Sequence, residues 1–574
     1  MSASLKLSPA LYDDRHPQTI RYLKEEGRAF AVSDRYGREL LREVEEKHPF
    51  IQKAVKQRYL RICDNSNFHR AIIWLEKILT ELRIGATIEE ASVLFGLKRV
   101  LKADCYLDEI DLYAKAMASK VEREFYDIAY RLNVRASISR TVNLITHTGI
   151  EFPLDKKDIY DRDKIQPALE RTFCHNWWKR QLKQVCFKKS ETIYRDLGLT
   201  NASNGLYISD FNFKRYLNQQ ASNRKVLEKM EVINEDEEAI PLIEVHEKSV
   251  SNPLNRRNEL MTRISGLEKI ANSTSDKGFM LTLTCPSKFH CSHKSGKRNA
   301  KHNELSPADG QAYLNDIWKL IRTAWSNKGI KPYGIRVAEP HHDGTPHWHQ
   351  LLFFRSEQAQ EALEIFKLYA HKEDENESGA NEHRTDIVPI DSSKGTATGY
   401  VAKYIAKNVD GYQINEEDGK CAVEKSLRVR AWASIWGIRQ FQFIGSPSVT
   451  VYRELRRLRN IEGVRPTLIA ALETAADKGD FAKFVELMGG VSTKRVDQPL
   501  RAMMVKKSEP NRYSETAEKL KGLIGSAGKI VTRIHDWHMQ KRKRNPDNFI
   551  SKERSSFYIR GANAPPWSSV NKCT

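Results

Sequence analysis

Thr-Pro-His-Trp-His-Gln-Leu-Leu-Phe-Phe, at positions 345–354, carries the clearest strand signal in the chain. It is rich in aromatic side chains, ends in an apolar run and follows the turn signal Asp343-Gly344, all of which predict a β-strand. Because side chains alternate along a strand, His347 and His349 would lie on one face, about 7 Å apart. Two imidazoles on one face of a rigid strand form half of a site for a divalent metal ion.

The segments around this strand predict an α+β fold. Further strands are expected at Phe279–Thr284, Tyr333–Glu339 and Arg384–Ile390. Helices are expected at about Pro253–Ala271, Pro307–Asn327, Ser356–His371 and Thr396–Asn408. Since the histidine strand is apolar on both sides after its histidines, we predict a central antiparallel sheet with packed helices, in which this strand is covered on both faces.

The chain is predicted to have four regions. Residues 1–235 are mostly helical and would bind DNA or a partner, 250–460 hold the sheet, 461–505 are a helical appendage, and 506–574 are a basic, partly disordered tail. Within the first region, one helical pattern covers Ile165–Ile193. It contains a basic and aromatic segment in which we expect Trp177 and Trp178 to be buried against a core rather than to contact DNA.

Composition narrows the class of protein. The 574 residues carry a formal net charge of +20, which favours a polyanionic partner, most simply nucleic acid. The eight cysteines are widely spaced, as is usual in a reducing compartment. With neither a signal-peptide pattern nor an apolar run of about 18 residues, the sequence predicts a cytoplasmic protein without a membrane span.

A second segment, residues 399–407, predicts a helix with a reactive side. At about 100° per residue, Tyr400 and Tyr404 project about 40° apart, with Lys403 and Lys407 on the same side and small apolar residues opposite. A phenol with a pKa near about 10 is a poor nucleophile at neutral pH, and a neighbouring ammonium and a metal ion would favour the phenolate. Paired aromatic residues at helical spacing commonly have only a packing role. The prediction that the two tyrosines are catalytic therefore depends on their occurring together with the histidine strand.

Three segments resemble, in order, the three motifs of the HUH endonuclease superfamily. Residues 279–284, followed by Pro286-Ser287-Lys288, are similar to its first motif. Residues 339–349 resemble its metal-binding second motif, and residues 400–404 resemble the Tyr-x-x-x-Tyr form of its third. From about residue 240 to 460, the surrounding sequence is similar to the replication gene A proteins of tailed phages and prophages.

The resemblance implies a rolling-circle replication initiator acting in the cytoplasm of a bacterial host cell. Such an enzyme cuts one strand at the origin, keeps the 5′ end on a tyrosine, leaves a free 3′-OH and rejoins the strand after a round of synthesis. Carried over by motif, His347 and His349 are metal ligands, and Tyr400 and Tyr404 are nucleophiles. Single-stranded origin DNA is then the expected substrate.

The third metal ligand is expected to be Glu339, at the end of the preceding strand. It shares a face with the histidines only if the two strands pair in the right register. His341 and His342 compete for this role, although we expect them to be loop residues near the phosphate. A mixed histidine and carboxylate site that acts on phosphate oxygens suits Mg²⁺ or Mn²⁺.

Several alternatives stay open. The chain could be a relaxase or transposase of the same superfamily, a DNA-binding replication protein without catalysis, or a nuclease that activates water with a metal. Zinc binding by Cys285, Cys291 and His293 fits no common spacing, and nearby lysines favour a basic DNA-contacting loop. Because the sequence lacks a Gly-x-x-x-x-Gly-Lys-Ser/Thr loop, unwinding is expected to require a host helicase.

Overall fold

The computed structural model describes residues 35–542, apart from 67, 84–100, 378, 392, 394, 413–420, 462, 464 and 527. The predictions for residues 1–34 and for the end of the basic tail, 543–574, lie outside the described residues. Within the described part of the chain, every helix is too short or too polar to cross a membrane.

The region before residue 230 is helical, as predicted. Its helices are α1 (Arg35–Lys47), α2 (Gln52–Asn65), α3 (Phe68–Glu81), α4 (Leu107–Arg131), α5 (Val134–His147), α6 (Arg162–Thr172), α7 (His175–Asp196) and α8 (Asp210–Lys229).

The single helix predicted over 165–193 is instead the pair α6 and α7. Cys174 is extended, with φ −94° and ψ 117°, and separates the two helices. The indole N–H of Trp178 donates to the carbonyl of Thr172, the last residue of α6, at 2.6 Å. Both Trp177 and Trp178 are buried, at 4% and 0% exposure, so the prediction that they pack into a core is confirmed.

A central sheet of five strands follows. Its strands are β3 (Lys277–Thr284), β4 (Tyr333–Pro340), β5 (Pro346–Phe354), β6 (Thr385–Pro389) and β7 (Phe441–Ile444), after a small hairpin of β1 (Met230–Ile233) and β2 (Ala239–Pro241). The order across the sheet is β6-β3-β5-β4-β7, with antiparallel neighbours. The predicted antiparallel sheet and the central position of the histidine strand are confirmed, whereas β7 was not predicted.

Helices cover both faces of this sheet. They are α10 (Pro253–Thr274), α11 (Pro307–Asn327), α12 (Ala359–Ala370), α14 (Ala397–Val409) and α15 (Ala422–Trp436). Two short helices lie elsewhere: α9 (Leu242–Lys248) packs against the β1–β2 hairpin and α8, and α13 (Ala380–His383) lies beside β6. One face of β5, with Trp348 and Leu352, belongs to a core shared with α11, α12 and α15. The other face, with Leu351 and Phe353, belongs to a second core shared with α10 and α14. Since His347 and His349 alternate with Trp348, they point to the face covered by α14, the tyrosine helix.

The first core continues without interruption into the N-terminal helices, where it includes Trp178 of α7 and Met117 of α4. A buried polar contact reinforces this junction. The guanidinium of Arg428 in α15 donates to the carbonyl of Ile208, just before α8, at 3.2 Å. The helical region is therefore packed directly against the sheet.

The chain beyond the sheet begins with helices and ends in strands. The helices are α16 (Val449–Leu455), α17 (Thr467–Asp477) and α18 (Phe481–Leu487), and the strands are β8 (Leu500–Lys506), β9 (Glu518–Gly525), β10 (Gly528–Val531) and β11 (His538–Lys541). Strands β8, β9 and β10 form a second sheet, and β11 pairs with β1. This differs from the partly disordered tail predicted for 506–574, and β8 begins within the predicted helical appendage 461–505. These strands are ordered by pairing with one another and with a distant hairpin.

Candidate active site

The candidate metal ligands meet where β4 and β5 pair. Glu339 lies directly opposite His347, so the register required for a shared face is present. Ligand atoms of Glu339, His347 and His349 all lie within 4.8 Å of one another, and the two Nε2 atoms are 2.9 Å apart. Ligands in neighbouring positions around a cation, each at about 2.1 Å, are about 3 Å apart, so this spacing suits one shared ion.

The protonation of the histidines also suits a cation. Burial lowers the pKa of His349 to about 4, and burial followed by the charges of His341 and His349 lowers the pKa of His347 well below its usual value. Neutral imidazole is the form that binds metals. His349 Nδ1 lies 3.1 Å from the hydroxyl of Thr282 on β3, which leaves Nε2 directed at the site. Two neutral imidazoles and a carboxylate are thus a donor set that can hold a divalent cation.

Glu339 is fully buried and both of its oxygens have partners on α14. Lys407 donates to Oε2 at 2.9 Å, and the amide of Asn408 donates to Oε1. Burial opposes the charge of Lys407, but the Glu339 carboxylate raises the pKa of that ammonium overall. Lys407 thus neutralises the buried carboxylate.

Tyr404 lies against the metal ligands, while Tyr400 lies one turn earlier on α14. The rings of Tyr404 and His349 are 4.1 Å apart and inclined by 30°. Burial, and next the Glu339 carboxylate, raise the pKa of the Tyr404 phenol despite the opposing charge of Lys407. The charge of Lys407 therefore does not offset burial and the neighbouring carboxylate at this phenol. Lys403 is exposed, and its charge contributes to lowering the pKa of His349.

Helix α10 holds both ends of the tyrosine helix. The Glu268 carboxylate accepts the backbone N–H groups of Ala397 and Thr398 at 2.6 and 3.1 Å. At the other end, the guanidinium of Arg257 donates to Asp410 at 2.6 Å. An anion at the helix N-terminus is favourable because the first N–H groups have no partners within the helix. These residues fix where the tyrosines lie, and sequence reasoning gave no signal for them.

The rival ligands occupy the hairpin beside the site. The ring of His341 lies 4.0 Å from that of His347, and its buried Nε2 has no hydrogen-bond partner among the described residues. His290 Nδ1 lies 3.3 Å from the buried carboxylate of Asp343, which also accepts the backbone N–H of Thr345 at 3.0 Å. His341 therefore belongs to the wall of the site, and Asp343 shapes the hairpin.

The N-terminal region also reaches this hairpin. The backbone N–H of Tyr207 donates to the carbonyl of His342 at 3.2 Å. Buried Arg195 donates to the carbonyl of Asp343 at 2.9 Å. Tyr207 has φ 70°, a left-handed conformation that is uncommon for a bulky residue. Nothing in the local sequence indicates that this distant loop borders the site.

Cys285 and Cys291, the candidate zinc ligands, contact backbone groups instead. The thiol of Cys285 donates to the carbonyl of Pro346 at 3.3 Å, and burial raises its pKa. Lys288 lies 3.1 Å from Asp374, and Cys291 lies in the loop beside Asp343. In the part of the chain that the structure describes, these cysteines belong to no cluster of three metal-ligating groups.

Residues 105–412 match the model of the bacteriophage replication gene A protein family. The chain is 39% identical over 425 residues to a replication protein of Haemophilus phage HP1, covering 72% of this chain and 54% of the relative. It is 38% identical over 490 residues to the replication gene A protein of Escherichia phage 186, covering 81% of this chain and 69% of the relative.

A third relative comes from a bacterial genome. The chain is 34% identical over 432 residues to a probable replication endonuclease from a prophage-like region of Salmonella paratyphi A, covering 71% of this chain and 54% of the relative. It thus spans about half the length of several curated relatives that it matches. No solved structure matches the chain significantly. The family match extends from the helical region through the tyrosine helix, and the chain belongs to the bacteriophage replication gene A protein family.

Proposed function

We propose that this protein is a metal-dependent, site-specific endonuclease for single-stranded DNA that starts rolling-circle replication of a phage or prophage genome. The observation that carries the proposal is the stacking of Tyr404 on His349, which brings a phenol beside the candidate metal ligands at 4.1 Å between ring centres. The net charge of +20 supports a nucleic acid substrate. The relative from Salmonella paratyphi A is named a probable replication endonuclease, in agreement with cleavage.

The proposed reaction transfers a DNA phosphate to a tyrosine. The Tyr404 or Tyr400 oxygen forms a bond to phosphorus after losing its proton to solvent, the bond to O3′ breaks, and O3′ takes up a proton. The products are a 5′-phosphotyrosine ester and a free 3′-OH that can prime synthesis. Attack of a 3′-OH on the ester reverses these bonds, which rejoins the strand and regenerates the phenol. A divalent ion held by Glu339, His347 and His349 would supply Lewis-acid polarisation of the phosphate.

The residues of α14 have separate roles in this proposal. Tyr404 stands beside the ligands, and Tyr400, one helical turn away, is available for a second transfer. Lys407 neutralises Glu339 and stabilises the negative charge that develops on the phosphate, and exposed Lys403 contributes further positive charge at the surface. Strand separation is assigned to a partner, a host helicase.

The test is covalent trapping. The protein is incubated with origin single-stranded DNA labelled on either side of the cut, with Mg²⁺, Mn²⁺ or chelator, and resolved on a denaturing gel. A protein-linked label is expected only for the fragment 3′ of the cut, and only with metal. Tyr404→Phe and Tyr400→Phe should each remove one transfer, and the double variant should remove the adduct.

The results separate the alternatives. An adduct that survives in the double variant refutes the assignment of the tyrosines. Cleavage without an adduct indicates a nuclease that activates water, whereas salt-sensitive binding without cleavage indicates a DNA-binding replication protein. The conservative variant Tyr369→Phe in α12, which lies on the other side of the sheet, serves as the matched control.

A further inference from the structure

The loop after β3 contains an anion-binding arrangement that the proposed reaction does not use. The carboxylate of Glu377 accepts the backbone N–H of Ser287 at 3.2 Å, and it also accepts the hydroxyl of the same residue. Lys301 and Arg384 each donate to it at 3.2 Å. A backbone amide, a hydroxyl, an ammonium and a guanidinium thus converge on one carboxylate. We call Ser287, Lys301 and Arg384 the anion cradle.

The anion cradle is built into the fold. The side chain of Arg384 is only 2% exposed, and its backbone carbonyl accepts the N–H of Thr284 at 2.9 Å. The amide of Asn299 donates to the carbonyl of Ser287 at 2.8 Å, which fixes the loop. Hydrogen-bond donors held in place in this way are suited to bind phosphate oxygens, because charge-assisted bonds from amides and guanidinium are the usual phosphate contacts.

The position of the anion cradle relates it to the candidate active site. Thr284 pairs with His347 across β3 and β5, and Ser287 follows three residues later, at most about 11 Å along the chain. A DNA strand has one phosphate per nucleotide. A strand with its scissile phosphate at the imidazoles can therefore place a neighbouring phosphate at the anion cradle.

The segment that occupies the anion cradle is strongly acidic. Residues 373–377 read Glu-Asp-Glu-Asn-Glu, and four of the five side chains are carboxylates. Besides the contacts of Glu377, both Glu373 and Asp374 contact the ammonium of Lys288. A cavity of about 550 Å³ lies between this acidic segment and the lysine-bearing loop. Three carboxylates thus cover two lysines and one arginine of a very basic protein.

We propose that the anion cradle is a phosphate subsite for the single-stranded DNA substrate, and that Glu377 occupies it as an internal substitute when DNA is absent. This inference rests on the proposed function and deepens it. The acidic segment 373–377 then competes with DNA at two adjacent places: Glu377 occupies the anion cradle, and Glu373 and Asp374 occupy the neighbouring ammonium of Lys288. Binding of DNA therefore requires displacement of this segment. Neutral substitutions in the acidic segment should therefore strengthen DNA binding, whereas neutral substitution of a residue that contacts DNA usually weakens it.

The test measures affinity without chemistry. A fluorescent oligothymidylate is titrated in chelator with the wild type, with Glu377→Gln, and with the double variant Glu373→Gln/Asp374→Asn. The double variant removes two exposed pairs that share the ammonium of Lys288, so binding should be about fivefold tighter. Because its residues are 47% and 42% exposed, folding should be retained even if Glu377→Gln destabilises the loop.

A matched control separates the proposed competition from net charge. Asp127→Asn/Glu228→Gln makes the same change at exposed ion pairs on α4 and α8, where the carboxylate side chains are 49% and 50% exposed. If this control gains as much affinity as the acidic-segment variants, the proposal is overturned. It is also overturned if neither the control nor the acidic-segment variants gain affinity. Adding Lys301→Ala to Glu377→Gln should reverse the gain in affinity. It should also reduce the slope of log affinity against log salt concentration by about 1.

The outcome is independent of the proposed nicking reaction. Tighter binding by the acidic-segment variants without any covalent adduct retains the subsite and refutes the nickase. An adduct with unchanged affinities retains the nickase and refutes the subsite. Failure of every variant to bind single-stranded DNA refutes both.

Discussion

Substitution of Glu268 by alanine should loosen the tyrosine helix without touching a proposed catalytic group. Glu268 accepts the N–H groups of Ala397 and Thr398, the first two residues of α14. Loss of capping bonds at a helix N-terminus costs about 0.5–2 kcal/mol, and loss of the favourable charge there costs about 0.3–1 kcal/mol more. Local opening of α14 should therefore become easier by roughly 2 kcal/mol, or about thirtyfold.

The assay is hydrogen exchange of peptides that cover residues 397–409, followed by mass spectrometry. Amides of α14 should exchange about thirtyfold faster in Glu268→Ala, while peptides of β5 should stay unchanged. Glu268→Gln should lie between the two, because an amide oxygen still accepts hydrogen bonds but carries no charge. Thr396 continues to cap Gly399 at 3.0 Å, so the helix should remain formed.

A second glutamate on α10 provides a control. Glu259 of α10 forms two bonds to Arg453, at 2.8 and 2.7 Å, away from the N-terminus of α14. Glu259→Ala should leave α14 exchange unaltered, and the tyrosine adduct should form more slowly in Glu268→Ala than in Glu259→Ala. Equal exchange of α14 in wild type and Glu268→Ala would show that this carboxylate does not fix the helix.

Three further predictions concern the metal, acid stability and the core. Mn²⁺ at a hundred times its Kd should stabilise the wild type by about 2.7 kcal/mol in thermal unfolding, and His349→Ala should abolish this gain. Burial favours the neutral form of Asp343, but His290 and other partners hold the pKa of this carboxyl well below 3.8. The stabilisation from Asp343 is therefore complete above about pH 5 and is lost on acidification, because the unfolded state takes up the proton first. Asp343→Asn should make the free energy of urea unfolding depend less on pH below about pH 5, and an equal pH dependence in wild type and variant would contradict this. Trp178→Ala should cost about 3–5 kcal/mol in urea unfolding, because the indole is fully buried, and a loss below about 1 kcal/mol would contradict its role in the core.

The local elements of the site could be predicted because their signals lie within a few residues. Alternation along residues 345–354 predicts the strand and puts both histidines on one side, and the apolar spacing of Val401 and Ile405 predicts α14. Strand β7 has only four residues, and the C-terminal strands lack a regular apolar alternation. Their formation depends on partners elsewhere in the chain, so local pattern could not predict them.

From the amino-acid order alone follow the histidine pair, the tyrosine pair and the antiparallel sheet, since periods of two and of about 3.6 residues are properties of neighbouring positions. Only the tertiary structure decided three contacts between distant residues. It put Glu339 opposite His347, and Glu268 at the N-terminus of α14, 130 residues further along the chain. It also put Glu377 among the donors of the anion cradle. Pairing register and helix docking are set by which apolar faces bury one another, and polar contacts between distant segments follow from that packing.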